Sequence, residues 1–336
     1  MPSHITSSKL NANETALCGG FAGLTTRLAI SPLDVVKIRL QVQPEPYTIN
    51  RLLSNKTNPV NIKYSGIVQA FRTIIAEEGI KGLFKGNVAA EWLYVTYGAS
   101  QFYAYYFLDR FMKKQDTLPP TFKPFVSGML AGSFATATTY PFDLLRTRFA
   151  IQGETKVYNS IMHAVCDIHE KEGIRGFYRG LGSSITQIMP YMGLMFFSYE
   201  GLCSIVQSFK DKQIIPEDYK RTGDMVCGSL AGIISKTGVF PLDVVRKRLQ
   251  VQGPHLSEYI VSSIPSYSRE NSVIGCMRKM IATEGFFSLY KGLVPGLLKA
   301  GPSGAVYFLM FELAKDGLTT LKESGFQMIP EKLIYH

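Results

Sequence analysis

Ser31-Pro32-Leu33-Asp34-Val35-Val36-Lys37-Ile38-Arg39-Leu40-Gln41 occurs in the chain in three versions. The second is Tyr140-Pro141-Phe142-Asp143-Leu144-Leu145-Arg146-Thr147-Arg148, and the third is Phe240-Pro241-Leu242-Asp243-Val244-Val245-Arg246-Lys247-Arg248-Leu249-Gln250. The prolines stand 109 and 100 residues apart, so the chain reads as three copies of one structural unit.

Two further elements recur in register. Glu78-Gly79, Glu172-Gly173 and Glu284-Gly285 precede Phe84-Lys85-Gly86, Tyr178-Arg179-Gly180 and Tyr290-Lys291-Gly292. A G-x-x-x-G begins 13 residues before each proline, at Gly19 and Gly23, Gly128 and Gly132, and Gly228 and Gly232. Alone each of these patterns is weak; together, three times in phase, they define a repeat.

The chain has 336 residues, a formal net charge of +10 and 46% hydrophobic residues. Length alone would allow two soluble domains, but the repeats argue for one body with three-fold pseudosymmetry. A mean hydropathy near zero (+0.06) is low for a membrane protein, unless the helices surround a polar cavity and show only their outer faces to lipid. The stretches 124–142 and 180–199 carry no charge, and each is long enough to cross a hydrocarbon core. The other candidate spans hold isolated charges, at Arg27, Glu91, Lys236 and Lys299. A soluble bundle of buried helices does not account for near-continuous apolarity over six segments. The cysteines at 18, 166, 203, 227 and 276 have neither metal nor redox spacing and read as free thiols in a reducing compartment. Residues 1–13 show no cleavable presequence.

The expected architecture is all-α: six transmembrane helices in three pseudo-symmetric repeats around a central cavity, each repeat with a short amphipathic surface helix. Repeat 1 spans 14–113, repeat 2 122–210 and repeat 3 220–321, with tails at 1–13 and 322–336. The spans are read at 14–43, 87–113, 124–152, 181–210, 222–252 and 293–321, and the surface helices at 66–78, 160–171 and 272–283. Residues 44–63 and 253–271 read as polar loops, and the tail after Lys322 as poorly ordered. The links within repeats carry the surface helices and most basic residues, while the links between repeats are short. Both termini therefore lie on one side, opposite the surface helices.

In each motif the acid and the first base, three residues apart, share a helix face, and the proline bends the helix toward the axis. Three such helices bring three acids and three bases into one ring. Helical phase counted from Gly86, Gly180 and Gly292 selects a cavity face holding Tyr94, Tyr97, Gln101, Gln187, Tyr191, Lys299 and Tyr307. Arg27, Thr136 and Lys236 stand seven residues before the three motif aspartates and join that face. Arg27, Lys236 and Lys299 are expected to be cations without an acidic partner at their level. Such charges imply a polyanion, most simply a phosphate or diphosphate. The tyrosines suit an aromatic heterocycle, although ordinary packing would use them as well. Glu91 lies off the centre of the face and could touch either a cationic ring or a neighbouring helix. No metal cluster, nucleophile–base set or phosphate-cradling loop after a strand is present, which argues against an enzyme.

With its triple P-x-D-x-x-(K/R)-x-(K/R), its E-G and its aromatic-(K/R)-G, the chain resembles the mitochondrial carrier family over nearly its whole length. Within that family, Ser31 to Arg39, Arg146 to Ala150 with Gln152-Gly153-Glu154 and Lys156-Val157-Tyr158-Asn159, and Gly232-Ile233-Ile234-Ser235-Lys236-Thr237 are similar to the thiamine pyrophosphate carriers. The resemblance implies a multi-pass inner-membrane transporter working by alternating access, with surface helices in the matrix and termini in the intermembrane space. It implies no cofactor, thiamine pyrophosphate as the transported substrate, exchange against another phosphorylated anion, and a protein functional as a monomer. It pairs Asp34 with Arg146, Asp143 with Arg246 and Asp243 with Lys37 as a matrix gate, and makes Gln41 and Gln250 braces under it; repeat 2 has Ala150 there. On the cytoplasmic side the family pattern falls on Tyr106, Glu200 and Glu312, and three residues later on Asp109, Cys203 and Lys315. Only Glu200 with Lys315 can pair there, so the matrix side is the tighter gate. The resemblance also implies cardiolipin as structural lipid at Gly66, Lys85, Gly86, Arg179, Gly180, Lys291 and Gly292; Ser160 and Ser272 depart from the family's glycine on the later surface helices. A carrier of nucleotides, deoxynucleotides or coenzyme A needs the same bases and aromatics. A basic scaffold or enzyme docked on membranes would instead need a fold that carbonate can extract.

Overall fold

The computed structural model describes residues 12–44, 63–113, 123–211, 220–260, 267 and 272–323. Most of the loop read at 44–63, part of that at 253–271, the links between repeats and the tails lie outside the described residues.

The described residues are helical and contain no strand: α1 Ala12–Val42, α2 Ile67–Glu78, α3 Asn87–Lys113, α4 Lys123–Ala150, α5 Ile161–Phe177, α6 Leu181–Asp211, α7 Lys220–Gln250, α8 Val273–Glu284, α9 Leu293–Leu298 and α10 Ala300–Glu323. Five agree closely with expected spans, and α2, α5 and α8 are the surface helices. Two details differ. The sixth span is not continuous: α9 ends at Leu298 and α10 begins at Ala300, because Pro302 has no N–H to give the carbonyl of Leu298. The second surface helix runs on to Phe177 across a turn at Gly173, whose φ of 66° departs from the helix.

The described residues fall into two compact units: those up to Pro32 together with those from Leu298 onward, and those within Leu33–Leu297. In the larger unit the buried core lies where the surface helices pack on the C-terminal halves of the motif-bearing helices. Val35, Val36, Ile38 and Val42 of α1, Ile74 of α2, Leu144 and Leu145 of α4, and Ile168 of α5 form one cluster. Phe240, Val244 and Val245 of α7 pack with Met280 of α8 in a second.

Outside these clusters large apolar side chains stay exposed at helical spacing. On α1 they are Leu17, Phe21, Leu24 and Leu28; on α3 they include Val88, Trp92, Val95 and Phe102, the last 80% exposed. In water such stripes would be costly, whereas in lipid they are the expected outer face. Among the described residues one stretch, Met225–Gln250, is long and apolar enough by composition alone to cross a membrane.

Candidate functional site

Residues two apart on a helix diverge by about 200°. The two bases of each motif therefore point to different partners. The first base reaches the aspartate of the preceding motif helix. Arg146 stands 2.8 Å from Asp34, Arg246 2.9 Å from Asp143, and Lys37 2.9 Å from Asp243. These are the three pairings that the family resemblance implies, and all lie in the larger unit. Each carboxylate is nearly buried, so an unpaired one would be expensive.

The second base points the other way, and its role is not visible in helical phase alone. Arg39, Arg148 and Arg248 are fully buried. Each forms a two-pronged pair with the glutamate of its own E-G element: Arg39 with Glu78 (2.9 Å), Arg148 with Glu172 (3.0 Å) and Arg248 with Glu284 (2.8 Å). Each also donates to carbonyls at the end of the next motif helix. Arg39 reaches Ala150 and Gln152, Arg148 reaches Gln250 and Gln252, and Arg248 reaches Gln41 and Gln43. These arginines thus tie surface helix, own helix and neighbouring helix together, with a buried tyrosine hydroxyl (Tyr64, Tyr158 or Tyr267) beside each. Burial opposes ionisation of Glu78, but the bonds from Arg39 and Lys85 outweigh it and hold its carboxyl below the usual glutamate range. Burial pushes Tyr267 up to about 12 against the pull of Arg248. The signal in the sequence was the count: three second bases, each followed in its own repeat by one E-G acid.

Three glycines let the helices approach. Gly86, Gly180 and Gly292 have φ of 81°, 85° and 77°. A Cβ on Gly86 would lie 2.6 Å from the carbonyl oxygen of Arg146; on Gly180 or Gly292 it would be 3.2 Å from that of Arg246 or Lys37. Each aromatic-(K/R)-G therefore seats its helix start on the carbonyl of a ring base. The preceding side chains turn inward: Lys85 bonds Glu78 and the carbonyls of Gln152 and Gly153, Arg179 reaches Glu172 at 3.0 Å, and Lys291 donates to the carbonyl of Gln43.

Several expectations change. Lys236 is not an unpartnered cation: its Nζ stands 3.3 Å from Asp243 Oδ2, one helix turn pair along α7. Seven residues apart put them on one face, and the flexible lysine stem covers the gap. Gln41 is buried, but neither amide atom has a hydrogen-bond partner among the described residues; it packs beside Gly292 instead of bracing a pair. Gln250 does brace, donating to Asp143 and accepting from Thr147 at 2.7 Å. Lys247, to which the repeat pattern assigns no role, is buried against Asp143 (3.1 Å), Thr147 (2.8 Å) and Gln250 (2.9 Å). Lys315 stands 3.6 Å from Glu312 of its own helix, and Asp109 pairs with Lys113 on α3 at 2.7 Å.

Of the cavity-face residues in the larger unit, Tyr94 lies against Arg146, and the Tyr97 hydroxyl lies over Gly132. Thr136 bonds its own helix at the Gly132 carbonyl, Gln101 and Tyr191 are half-buried, and the Gln187 amide oxygen is buried without a partner among the described residues. Glu200 is exposed on α6. Asn87 donates to Glu91 at 3.4 Å, one turn on along α3. In the smaller unit Arg27 is buried, Lys299 marks the break between α9 and α10, and the Tyr307 hydroxyl would meet a Cβ on Gly19 at 3.5 Å. Glycines of the G-x-x-x-G thus receive tyrosine hydroxyls, which is the packing role for two of the four tyrosines.

A family model described as mitochondrial carrier protein matches residues 8–116, 118–210 and 217–322. A protein named mitochondrial thiamine pyrophosphate carrier 1 from Aspergillus oryzae is 46% identical over 314 residues, 92% of this chain and 94% of its own length. Proteins of the same name from Aspergillus niger and Coccidioides immitis are 45% and 43% identical. They cover 89% and 94% of this chain, and 90% and 95% of their own lengths.

Proposed function

This chain belongs to the mitochondrial carrier family, a family of membrane transporters and not enzymes, and from that membership we propose that it carries thiamine pyrophosphate across the inner membrane. The reading is one of exchange by alternating access, against another phosphorylated anion. The observation that carries the mechanism is the interlocked set Asp34–Arg146, Asp143–Arg246 and Asp243–Lys37. Three buried pairs are stable while all hold, yet each is broken by moving one helix relative to the next, as a gate requires.

The substrate assignment is supported by the names of relatives that match along nearly the whole chain. Arg27, Lys236 and Lys299 are the cations we assign to the diphosphate. Gln187, Gln101, Thr136, Tyr94, Tyr97, Tyr191 and Tyr307 are assigned to the ring system. The amide oxygen of Gln187, without a partner among the described residues, suits an amino group such as that of the aminopyrimidine. Lys236 would then serve two partners in turn, Asp243 in the closed ring and a phosphate in the loaded carrier.

The repeats are taken at 14–113, 122–210 and 220–321, with the surface helices in the matrix and the termini in the intermembrane space. Glu200, Glu312 and Lys315 form the weaker, cytoplasmic gate. Cardiolipin is assigned to the helix starts at Gly86, Gly180 and Gly292, with Gly66 beside the first. Because Lys85, Arg179 and Lys291 turn inward, the lipid phosphates would meet backbone N–H groups rather than ammonium groups. The protein acts as a monomer.

The test is uptake of labelled thiamine pyrophosphate by purified protein in liposomes, competed with nucleotides, deoxynucleotides and coenzyme A. Saturable uptake that only thiamine phosphates compete is the expected result. Preferred uptake of a nucleotide or coenzyme A would move the protein to that substrate class within the same family.

A further inference from the structure

The three seams of the aspartate ring are built from equivalent positions but not from equivalent chemistry. Six residues after each motif proline stand Ile38, Thr147 and Lys247; nine residues after stand Gln41, Ala150 and Gln250. Where α7 closes on α4, both positions carry polar groups that reach Asp143. Lys247 approaches both carboxylate oxygens, at 3.2 and 3.1 Å, alongside the Arg246 pair, and Gln250 donates to the same carboxylate. Thr147 completes the cluster through Lys247 and Gln250. Where α4 closes on α1, position nine is alanine. Where α1 closes on α7, position six is isoleucine, and the amide of Gln41 has no hydrogen-bond partner among the described residues.

A second, independent set of contacts clasps the same α4–α7 seam from outside. The segment after α7 folds onto α5, where His255 Nε2 stands 2.9 Å from Asp167 and 3.1 Å from Lys171. The Tyr259 hydroxyl meets that of Tyr158 at 3.5 Å, and the backbone of Ile260 donates to Ile151 at 3.3 Å.

We propose that Lys247 is a gate-positioning residue: with Gln250 it makes the α4–α7 seam the last of the three to part, so that the matrix gate opens at the other two seams first. This deepens the reading of the ring as a gate and does not depend on which substrate is carried. Arg246, Lys247 and Gln250 of α7 all hold Asp143 of α4, so parting this seam breaks the ring pair and two further polar contacts at one carboxylate together. A charge-assisted hydrogen bond is strong enough that removing one should change the opening equilibrium by about tenfold or more.

Amide hydrogen exchange of the full-length protein in lipid nanodiscs reads the seams separately. In the wild type the last turns of α7 and the facing turn of α4 should exchange more slowly than the last turn of α1. Lys247→Met should accelerate exchange at the α4–α7 seam about tenfold or more and leave the end of α1 within about twofold, and Lys247→Arg should restore protection. Equal protection of all three seams in the wild type, or an equal change at all three in Lys247→Met, would overturn the assignment. The wild-type comparison needs no variant to fold and no substrate to be known, so a failed thiamine pyrophosphate assay leaves this test intact.

Discussion

Lys236 Nζ stands 3.3 Å from Asp243 Oδ2, the same oxygen that Lys37 holds at 2.9 Å. One carboxylate thus serves a cation from the neighbouring helix and one from its own, seven residues earlier. Removing Lys236 leaves Asp243 paired, so Lys236→Met should move the melting temperature by only a few degrees. Uptake of thiamine pyrophosphate should fall about tenfold or more if Lys236 also binds phosphate. A variant that melts normally and transports normally would remove Lys236 from the substrate site.

A neighbouring contrast separates glycines needed for close approach from glycines that only fit the pattern. Gly86 has φ of 81° and no room for a Cβ beside the Arg146 carbonyl. Gly86→Ala should destabilise by about 1–3 kcal/mol. Gly128, inside α4, has nothing within 4 Å of where its Cβ would be. Gly128→Ala should be neutral or stabilise by up to about 1 kcal/mol through helix propensity. Melting curves of the two purified variants decide this; equal losses would show that the clash at Gly86 relaxes.

The surface-helix carboxylates set a direction for pH. Glu78 and Asp167 are held below their ordinary values: burial works against them, and the bonds from Arg39 and Lys85, or from Lys171 and His255, prevail. A carboxyl lowered on folding adds stability above its unfolded value and loses it as pH falls through the folded one. For glutamate that reference is about 4.5. Melting temperature should therefore vary little between pH 8 and 5 on account of these groups and fall below about pH 4.5. Glu78→Gln should flatten the acid limb, and an unchanged limb would assign the acid sensitivity elsewhere.

How much of this was legible in advance follows from periodicity. The ring was readable because one motif carries acid and base at fixed spacing in three copies, while the partners of Asp34, Asp143 and Asp243 came from the family resemblance and not from residue order. The pairing of Lys236 with Asp243 was not readable, since seven-residue spacing places two groups on one face without saying whether the side chains meet. Lys247 is hidden in the sequence because its position holds Ile38 and Thr147 in the other copies: periodicity exposes what the repeats share, and Lys247 is where they differ. The split at Lys299 was available from Pro302 and was overridden by the apolar run around it. Gln41 and Gln250 show the remaining limit, since identical residues at identical register end in different hydrogen-bonding states once their neighbours differ.

The arginine–glutamate links give the sharpest test of what holds the surface helices in place. Arg148 is 1% exposed and its partner Glu172 accepts from both Arg148 and Arg179. Glu172→Gln keeps shape and one acceptor but removes the charge opposite a buried guanidinium. Breaking one side of a buried pair typically costs about 3–5 kcal/mol, since the remaining charge stays desolvated. Arg148 keeps its bonds to the carbonyls of Gln250 and Gln252, which should hold the loss toward the low end. Arg148→Met removes those bonds as well and unties α4 from the end of α7, so it should cost more and reduce transport further. If the links only packed the protein together, transport per folded molecule would stay at the wild-type level in both variants. If they carry movement of the surface helix to the ring, turnover per folded molecule should fall in the order wild type, Glu172→Gln, Arg148→Met. Uptake normalised to the folded fraction, measured beside a melting curve for each protein, separates the two; parallel losses of stability with unchanged normalised uptake would confine these links to the fold.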